Sequence, residues 1–234
     1  MDKVTRREVI GALMAGGLGT AGVAGVYSAE SMPNETAQQT AQHGQFDAIT
    51  AEGNMLYGPQ TKLAIENFPI SGQRLPAELI HALGHVKWSA ARANKDLGRF
   101  AQPGPLCLSD QQVEALAAAC REVWEGKLDN QFPVDVYQTG SGTSSNMNAN
   151  EVIANRANQM AAEQGLQVTK TIHPNDHVNM GQSSNDIFPT AIHVALAGEI
   201  HQKLIPSLLN CQQVLAEKAA LWHDVVKIGR THLA

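Results

Sequence analysis

The longest periodic stretch of the chain runs from Asn185 to Leu215 and reads NDIFPTAIHVALAGEIHQKLIPSLLNCQQVL. Its apolar positions recur every three or four residues, which is typical of a helix with one apolar face. At 1.5 Å per residue this stripe predicts a helix of about 45 Å, long enough to need neighbouring helices in a bundle. Pro206 should bend this helix, whereas Pro189 is expected in its first turn. The stripe consists of Ile192, Leu196, Ile200, Leu204, Leu208, Cys211 and Leu215.

Three shorter amphipathic helices are predicted before this stretch. The first covers Pro76–Leu97, the second follows Ser109 as its N-cap, and the third ends at Gly165. Strand signals are limited to two short runs of β-branched residues, 134–137 and 225–228. The sequence therefore predicts a mainly α fold, with an N-terminal helical domain followed by the first long helix of a central helical bundle.

The composition excludes some classes of protein. With 234 residues, 43% hydrophobic and 17% charged, the chain has the composition of an ordinary globular protein. The net charge is −5, and no run of Lys or Arg follows the first seven residues, so no nucleic-acid partner is expected. Cys107, Cys120 and Cys211 lack any C-x-x-C spacing, and we expect them to be small buried apolar residues.

The N-terminus differs in character from the rest of the chain. Residues 1–29 begin with a charged stretch that contains Arg6 and Arg7, and an uncharged segment rich in Gly and Ala follows. This order fits a twin-arginine export signal, and the many glycines disfavour a stable membrane span. An upstream start codon or a loose N-terminal tail is the alternative. Residues 30–45 are polar and are expected to be a linker to the folded body.

Three segments rich in short hydroxyl and amide side chains stand out: Thr139–Asn150, His173–Asp186 and Gly229–Leu233. The first two open predicted helices. A helix start offers unpaired backbone N–H groups and the positive end of the helix dipole, so hydroxyl and amide groups beside it suit a carboxylate ligand. The three segments are therefore the candidate binding regions of the chain.

Each of the two helix starts also has a purely structural interpretation. Ser144 or Ser145 would cap one helix, and Ser184 or Asn185 would cap the other. Taken singly, a cap of this kind is an ordinary feature of proteins. Only the combination of the three segments indicates a function.

Two pairs of histidines have a spacing of four residues, but we expect no metal at either pair. His81 and His85 lack the Glu of an H-E-x-x-H motif and lie in a helix rich in Ala and Leu. His173 and His177 lie in a predicted loop.

Together, the three segments resemble in order and spacing the signature regions of the fumarase/aspartase lyase superfamily, over about residues 56–234. Three features resemble class II fumarases more than their relatives: Ser141, the SSND run at 183–186 and His232. Aspartases typically carry Ala, STND and Gln at these positions. Argininosuccinate lyases carry SRND in the second segment. The resemblance implies a fumarase/aspartase-like fold, with an N-terminal lyase domain at 46–182 and the start of the central helical-bundle domain at 183–234.

The activity that the resemblance implies is reversible trans-hydration of fumarate to (S)-malate, a citric acid cycle reaction, through an aci-carboxylate carbanion. No cofactor or metal is required, because preorganised donors stabilise the charge that develops on the carboxylate. His232 resembles the histidine that works on the catalytic water. The residues that would hold the dicarboxylate are Ser141, Gly142, Thr143, Ser183, Ser184, Asn185 and Thr231, and those of an accessory anion site are His173, Asn175 and Asp176.

The resemblance also implies parts that these 234 residues do not contain. Class II fumarases carry a later Gly-Ser-Ser-x-Met-Pro loop whose serine acts as the base, and they form homotetramers in which three subunits contribute to each active site. We therefore expect this chain to be inactive by itself and to aggregate through the exposed stripe. Met180-Gly181 stands where fumarases commonly have Lys-Ser, which puts the substrate affinity in question.

Alternatives stay open at this stage. An aspartate ammonia-lyase-like enzyme is the rival within the superfamily, and a non-catalytic helical fragment that only binds a partner is the rival outside it. For location, the N-terminus favours export to the periplasm, whereas the family favours the cytoplasm.

Overall fold

The computed structural model describes residues 55–166, 170–229 and 232. Six α-helices form within them: α1 Pro59–Asn67, α2 Ala77–Asp96, α3 Asp110–Trp124, α4 Thr143–Glu163, α5 Ser184–Glu199 and α6 Ile205–Leu221. A 3-10 turn, Asp129–Gln131, and two π-helical turns, Pro174–Val178 and Ile200–Leu204, are also present. The prediction of a mainly α fold is confirmed. The predicted signal at 1–29 and the linker at 30–45 lie outside the described residues.

The two weak strand signals do not produce a strand in the described part of the chain. Residues 134–137 contribute one isolated antiparallel bridge, between Arg74 and Asp135, and 225–228 form irregular exposed chain. A single bridge without neighbouring ladder pairs adds little stability. The core therefore depends on contacts between helices.

The core lies where α2, α3 and α4 pack together. Leu83, Leu116 and Ile153, one on each helix, are completely buried. Burial of such a side chain contributes about 1.5–3 kcal/mol. The backbones of α2 and α3 come close at Gly84, where a Cβ would lie 2.6 Å from the backbone nitrogen of Trp124. Glycine at this position allows the close packing of the two helices.

The ends of the core helices follow from local sequence. Ser109 caps α3 as predicted: its Oγ accepts from the Gln112 amide at 3.2 Å, and the Gln112 side chain accepts from the Ser109 amide at 3.0 Å. This reciprocal capping box satisfies two amide groups that the helix itself leaves unpaired. Gly165, at φ +67°, follows α4 at the predicted end. Helices α2, α3 and α4 therefore match the predicted elements closely.

Helices α5 and α6 and the π turn between them form one helical run of 38 residues, from Ser184 to Leu221. The sequence predicts a bend at Pro206, and the structure has a π turn, Ile200–Leu204, that ends two residues before this proline. Pro206 has no N–H to donate to the preceding turn, so the regular α-helical bonding changes where this donor is missing. Pro189 lies inside α5 and not in its first turn.

The apolar stripe of this long helix is mostly uncovered. Ile187 and Ala191, near the start of α5, are buried in the core. Further along, Leu196, Leu208 and Leu215 are 53%, 60% and 63% exposed. The described residues thus leave a long apolar face open along the second half of the helix. Among all the residues that the structure describes, no helix is both long and apolar enough to cross a bilayer.

The expectation that all three cysteines are buried is wrong for two of them. Cys120 is buried on α3, but Cys107 and Cys211 are exposed. Cys211 is exposed because it lies on the uncovered helix α6, and Cys107 because it lies in the loop between α2 and α3. Helical periodicity gives the face of a residue but not whether another element covers that face.

Candidate active site

The first candidate segment forms a tight turn that leads into α4. Gly142 is its N-cap and has φ +69°, a conformation that favours glycine. Its amide donates to the Thr139 carbonyl at 2.9 Å, which closes the turn. The hydroxyls of Ser141 and Thr143 lie 2.8 Å apart, and both residues are exposed. The turn therefore presents two hydroxyl groups at the surface beside the start of α4.

Neither Ser144 nor Ser145 is the N-cap of α4, so that structural interpretation is wrong. The Ser145 amide and hydroxyl both donate to Gln138 Oε1 at 2.9 Å. The Ser144 amide donates to Thr139 Oγ1 at 3.4 Å. Side chains that precede the turn thus satisfy the first amides of the helix, and the hydroxyls of Ser141 and Thr143 are not used for this purpose.

The second candidate segment begins α5. Ser183 is the N-cap, in an extended conformation, and its side chain makes no capping hydrogen bond. The N-cap is thus neither Ser184 nor Asn185. Ser183 and Asn185 are exposed and Ser184 is half-buried. The first amides of an α-helix have no acceptor within the helix, so this start offers N–H groups and the positive end of the dipole.

Two contacts bring the starts of α4 and α5 together. Asn146 Nδ2, in the first turn of α4, donates to Ser184 Oγ at 3.0 Å. The ring of Phe188 on α5 packs directly on Gly142, where a Cβ would lie 2.3 Å from the ring. The segments 141–143 and 183–185 are therefore neighbours, although 40 residues separate them. Both helix starts can present donors to one small anion.

The third segment does not join them within this single chain. His232 is exposed and forms no hydrogen bond with another described residue, and Thr231 lies outside the described residues. The run from Ser184 to Leu221 is about 55 Å long at 1.5 Å per residue. The eleven residues from Leu221 to His232 span at most about 40 Å when fully extended. His232 therefore cannot reach Ser184 of its own copy.

The three residues of the predicted accessory anion site share one π turn, Pro174–Val178, or its N-cap. His173 Nδ1 accepts from the Asp176 amide at 3.3 Å and lies 3.3 Å from Asp176 Oδ2. Asn175 is exposed. The His173 amide donates to Nδ1 of the buried His177 at 2.7 Å. Burial, and secondly the charge of Lys170, lowers the pKa of His177 to about 4, so this ring is neutral and structural at neutral pH.

Lys87, which the sequence patterns did not indicate, lies directly behind the start of α5. Lys87 is fully buried on α2, and its Nζ donates at 2.8 Å to Asn179 Oδ1 and to Gln182 Oε1. Burial lowers the pKa of Lys87 to about 7. The helical period of the sequence indicates that Lys87 faces the core, because it stands four residues after the buried Leu83 on a helix whose buried positions are otherwise uncharged. A lysine at such a position needs a specific partner.

The loop before α5 is also where the chain departs from the common Lys-Ser of fumarases. Met180 is half-buried, and its carbonyl accepts from Asn94 Nδ2 of α2 at 3.1 Å. Gly181 has φ +71°, a left-handed conformation that a serine would adopt less readily. The loop is thus bound to α2 through the Met180 carbonyl, in addition to the bonds from Lys87 to Asn179 and Gln182.

Two other buried carboxylates, Glu151 and Asp135, hold turns together, and Asp135 is a poor candidate for proton transfer. Glu151 accepts the amides of Gly58, Gln60 and Thr61 at the start of α1. Burial alone would raise the pKa of Asp135, but hydrogen bonds from the Tyr137 amide, from Ser71 and from the Gly72 amide lower it to about 2. Asp135 therefore stays ionised and is not a proton donor at neutral pH.

The two histidine pairs do not converge on a common point. His81 Nε2 lies 3.0 Å from Asp129 Oδ1, whereas the His85 ring stacks on Trp124 with 4.2 Å between ring centroids. His173 and His177 are joined through the His173 backbone amide, as described above. In residues 55–166, 170–229 and 232, no group of three or more His, Cys, Asp or Glu has the geometry to hold a metal ion.

Comparisons with known proteins agree with this architecture. A class II fumarate hydratase of Caulobacter vibrioides is 48% identical over 188 residues, which are 80% of this chain and 38% of that protein. A class II fumarate hydratase of Brucella suis is 49% identical over 188 residues, which are again 80% of this chain and 38% of that protein. The chain thus spans well under half of the length of these curated relatives.

Among solved structures, recombinant class II fumarase from Schistosoma mansoni matches with a TM-score of 0.67 and 42% identity. The match covers 76% of this chain and 36% of that chain. The fumarase/aspartase-like helical fold expected from the sequence is thereby confirmed. A family model described as "Lyase" matches residues 47–234. The chain therefore belongs to this lyase family, and the class II fumarases are members that it is similar to.

Proposed function

We propose that the protein to which this chain belongs is a class II fumarate hydratase, which interconverts fumarate and (S)-malate in the citric acid cycle. The observation that carries the proposal is the pairing of two hydroxyl- and amide-rich helix starts through Asn146 and Ser184. Similarity to class II fumarate hydratases supports the same activity. An ammonia lyase is disfavoured by Ser141, Ser184 and His232.

In this proposal the two helix starts hold the two ends of the dicarboxylate. Ser141, Gly142 and Thr143 bind one carboxylate, and Ser183, Ser184 and Asn185 bind the other. The side chains of Ser141, Thr143, Ser183 and Asn185 are exposed, so they are accessible to a ligand. Backbone N–H groups and hydroxyls stabilise the doubly charged aci-carboxylate that forms when a C3 proton leaves malate. Donors fixed in advance lower the barrier because they need no reorganisation during the reaction.

His232 and Thr231 complete the site in this proposal, with His232 accepting and returning the proton of the catalytic water. His232 cannot reach Ser184 of its own copy, so a neighbouring subunit must supply it. This requirement supports a homotetramer, and the uncovered stripe that includes Leu208 and Leu215 gives the subunits an apolar surface to bury. The base is the serine of the later loop that the resemblance implies. His173, Asn175 and Asp176 form the accessory anion site.

The proposal is tested with a completed protein, in which residues 1–234 are joined to the remaining residues of the Caulobacter vibrioides relative. We expect it to hydrate fumarate and the 234-residue chain alone to be inactive. Asn185→Ala should reduce kcat/KM on the order of 10²-fold, because it removes a donor to the developing charge. Asn67→Ala, an exposed asparagine at the end of α1, is the matched control and should leave kcat/KM unchanged.

The outcomes separate the alternatives. Deamination of aspartate by the completed protein, without hydration of fumarate, would refute the proposal and support the ammonia-lyase hypothesis. Fumarate hydration that is equally fast in Asn185→Ala and in Asn67→Ala would place the substrate elsewhere. Robust activity of residues 1–234 alone would refute the need for the later loop.

A further inference from the structure

A buried lysine without a carboxylate partner lies behind the proposed substrate site. The side chain of Lys87 is 0% exposed, and within the described residues no Asp or Glu forms a salt bridge with it. Charged side chains are rarely buried without an ion-pair partner, because the loss of hydration is costly. Among the residues that the structure describes, its ammonium group donates to two amide oxygens, those of Asn179 and Gln182, both at 2.8 Å.

These two amides cannot simply rotate away from the lysine. Gln182 Nε2 donates to the Val178 carbonyl at 2.8 Å, and Asn179 Nδ2 donates to the Gln182 carbonyl at 3.3 Å. Both amide nitrogens are therefore occupied by backbone acceptors, and both oxygens point to Lys87. The contacts tie the loop that immediately precedes α5 to the ammonium group.

Further hydrogen bonds connect Lys87 to the proposed substrate site. Asn179 Oδ1, which accepts from Lys87, also accepts from Asn146 Nδ2 at 3.2 Å. That nitrogen donates in turn to Ser184 Oγ at 3.0 Å. A chain of three hydrogen bonds thus runs from the ammonium group to the first residue of α5. The oxygen of the Asn146 amide has no hydrogen-bond partner in the described part of the chain, so these nitrogen contacts set its orientation.

We propose that Lys87 is a positioning residue for the substrate: it fixes Ser184 through Asn179 and Asn146, and its charge strengthens the binding of a substrate carboxylate at the start of α5. The inference rests on the proposed function, because it assigns a role within the same site. The three contacts place the ammonium nitrogen within about 9 Å of Ser184 Oγ, so a carboxylate bound at Ser184 lies on the order of 10 Å from the charge. At an effective dielectric constant near 20, a unit charge at this distance changes carboxylate affinity about 15-fold.

The charge of Lys87 changes near neutral pH. Burial lowers its pKa to about 7. The titratable group that acts on its charge is Cys120 on α3, whose pKa burial raises to about 12. On the other elements packed against α2, His177 of the π turn is neutral near pH 7, Glu151 of α4 accepts from the amides at the start of α1, and Asp186 of α5 is exposed. Neither Cys120 nor His177 changes charge near pH 7. Dicarboxylate affinity should therefore fall as the pH rises through the pKa of Lys87.

The test uses the completed protein with Lys87→Met and measures KM and kcat for fumarate on both sides of the Lys87 pKa. We expect KM about 15-fold higher at low pH, a smaller change in kcat, and loss of the rise of KM with pH that we expect for the parent. Lys95→Met, on the same helix but in an exposed pair with Glu114, is the matched control and should keep the parent KM and pH profile. Lys87→Arg should keep part of the affinity.

A second variant and a second measurement keep the result decisive. If Lys87→Met does not fold, Lys87→Gln gives the same comparison, because its amide can donate to Asn179 without a charge. In the 234-residue chain, faster hydrogen exchange of the first amides of α5 in the Lys87 variants would support the positioning role without any activity. An active completed protein in which a folded Lys87 variant keeps both the parent pH profile and the parent exchange rates would overturn the inference. Failure of the parent to hydrate fumarate would instead count against the proposed function.

Discussion

Replacement of Gly142 by alanine tests the contact that brings the two helix starts together. Two separate costs are expected. Gly142 has φ +69°, and a residue with a Cβ in this conformation costs about 1–2 kcal/mol. The Cβ would also lie 2.3 Å from the ring of Phe188, and such overpacking typically costs about 1–3 kcal/mol. We therefore expect Gly142→Ala to lower the free energy of unfolding by about 2–5 kcal/mol.

The matched control lies two residues earlier in the same turn. Gly140 has no left-handed φ, and a Cβ there would have no atom within 4 Å. Gly140→Ala should change the free energy of unfolding by less than about 1 kcal/mol. Urea unfolding followed by tryptophan fluorescence of Trp88 and Trp124, at low protein concentration to limit association through the exposed stripe, gives both values.

A double-mutant cycle separates the two costs of Gly142→Ala. In a Phe188→Ala background the ring is absent, so only the backbone cost of about 1–2 kcal/mol should remain. The coupling between the two positions should thus equal the overpacking cost. Equal stability of Gly142→Ala and Gly140→Ala, or zero coupling with Phe188, would refute the close approach of the two helix starts.

Three further predictions concern buried charges. Glu151→Gln should lower the free energy of unfolding by about 2–4 kcal/mol in urea titrations, because an amide nitrogen would face backbone N–H donors at the start of α1; unchanged stability would contradict this. The pKa of Asp135 is about 2 in the folded state, whereas its ordinary value is 3.8. The ionised form therefore stabilises the fold above about pH 4, and this contribution is lost as the pH falls through about 2. Asp135→Asn should therefore be less stable than the parent at neutral pH, and the difference in thermal midpoint should shrink on acidification; a constant difference would refute the assignment. Since burial lowers the pKa of Lys87 from 10.5 to about 7, the parent should gain stability relative to Lys87→Met as the pH rises from about 7 towards 10, and a pH-independent difference would argue against a buried ammonium.

The helices could be predicted from the sequence because their signals are local. The predicted helix Pro76–Leu97 corresponds to Ala77–Asp96, and Ser109 caps its helix as expected. Periodicity and capping depend on residues within a few positions of each other, so neither needs knowledge of the tertiary fold. The long stripe also forms the predicted long helix, although with a π turn before Pro206.

The features that depend on distant residues could not be predicted from local patterns. Gln138 and Thr139, which precede the turn, satisfy the first amides of α4, and neither predicted cap, Ser144 or Ser145, has this role. The exposure of Cys211 depends on what covers its helix, which the period of the pattern does not encode. The contact between Gly142 and Phe188 depends on how α5 packs, and the family resemblance implied only that the segments 141–143 and 183–185 hold the two ends of one dicarboxylate.

Lys87 illustrates the same limit at the candidate site. Its position in the pattern shows that it faces the core, but its partners Asn179 and Gln182 are more than 90 residues away. The polar residues of the segment 173–186 form a recognisable pattern in the sequence, whereas the lysine that binds this segment lies outside the pattern. Buried polar side chains with remote partners are recognised from three-dimensional contacts.

The most direct test of the account is the position of an unreactive dicarboxylate, such as succinate, in a crystal structure of the completed protein. We expect one carboxylate within hydrogen-bond distance of Thr143 and the other at the first amides of α5, beside Asn185, with His232 supplied by a neighbouring subunit. Succinate bound away from both helix starts, at a concentration that saturates inhibition of fumarate hydration, would contradict the account.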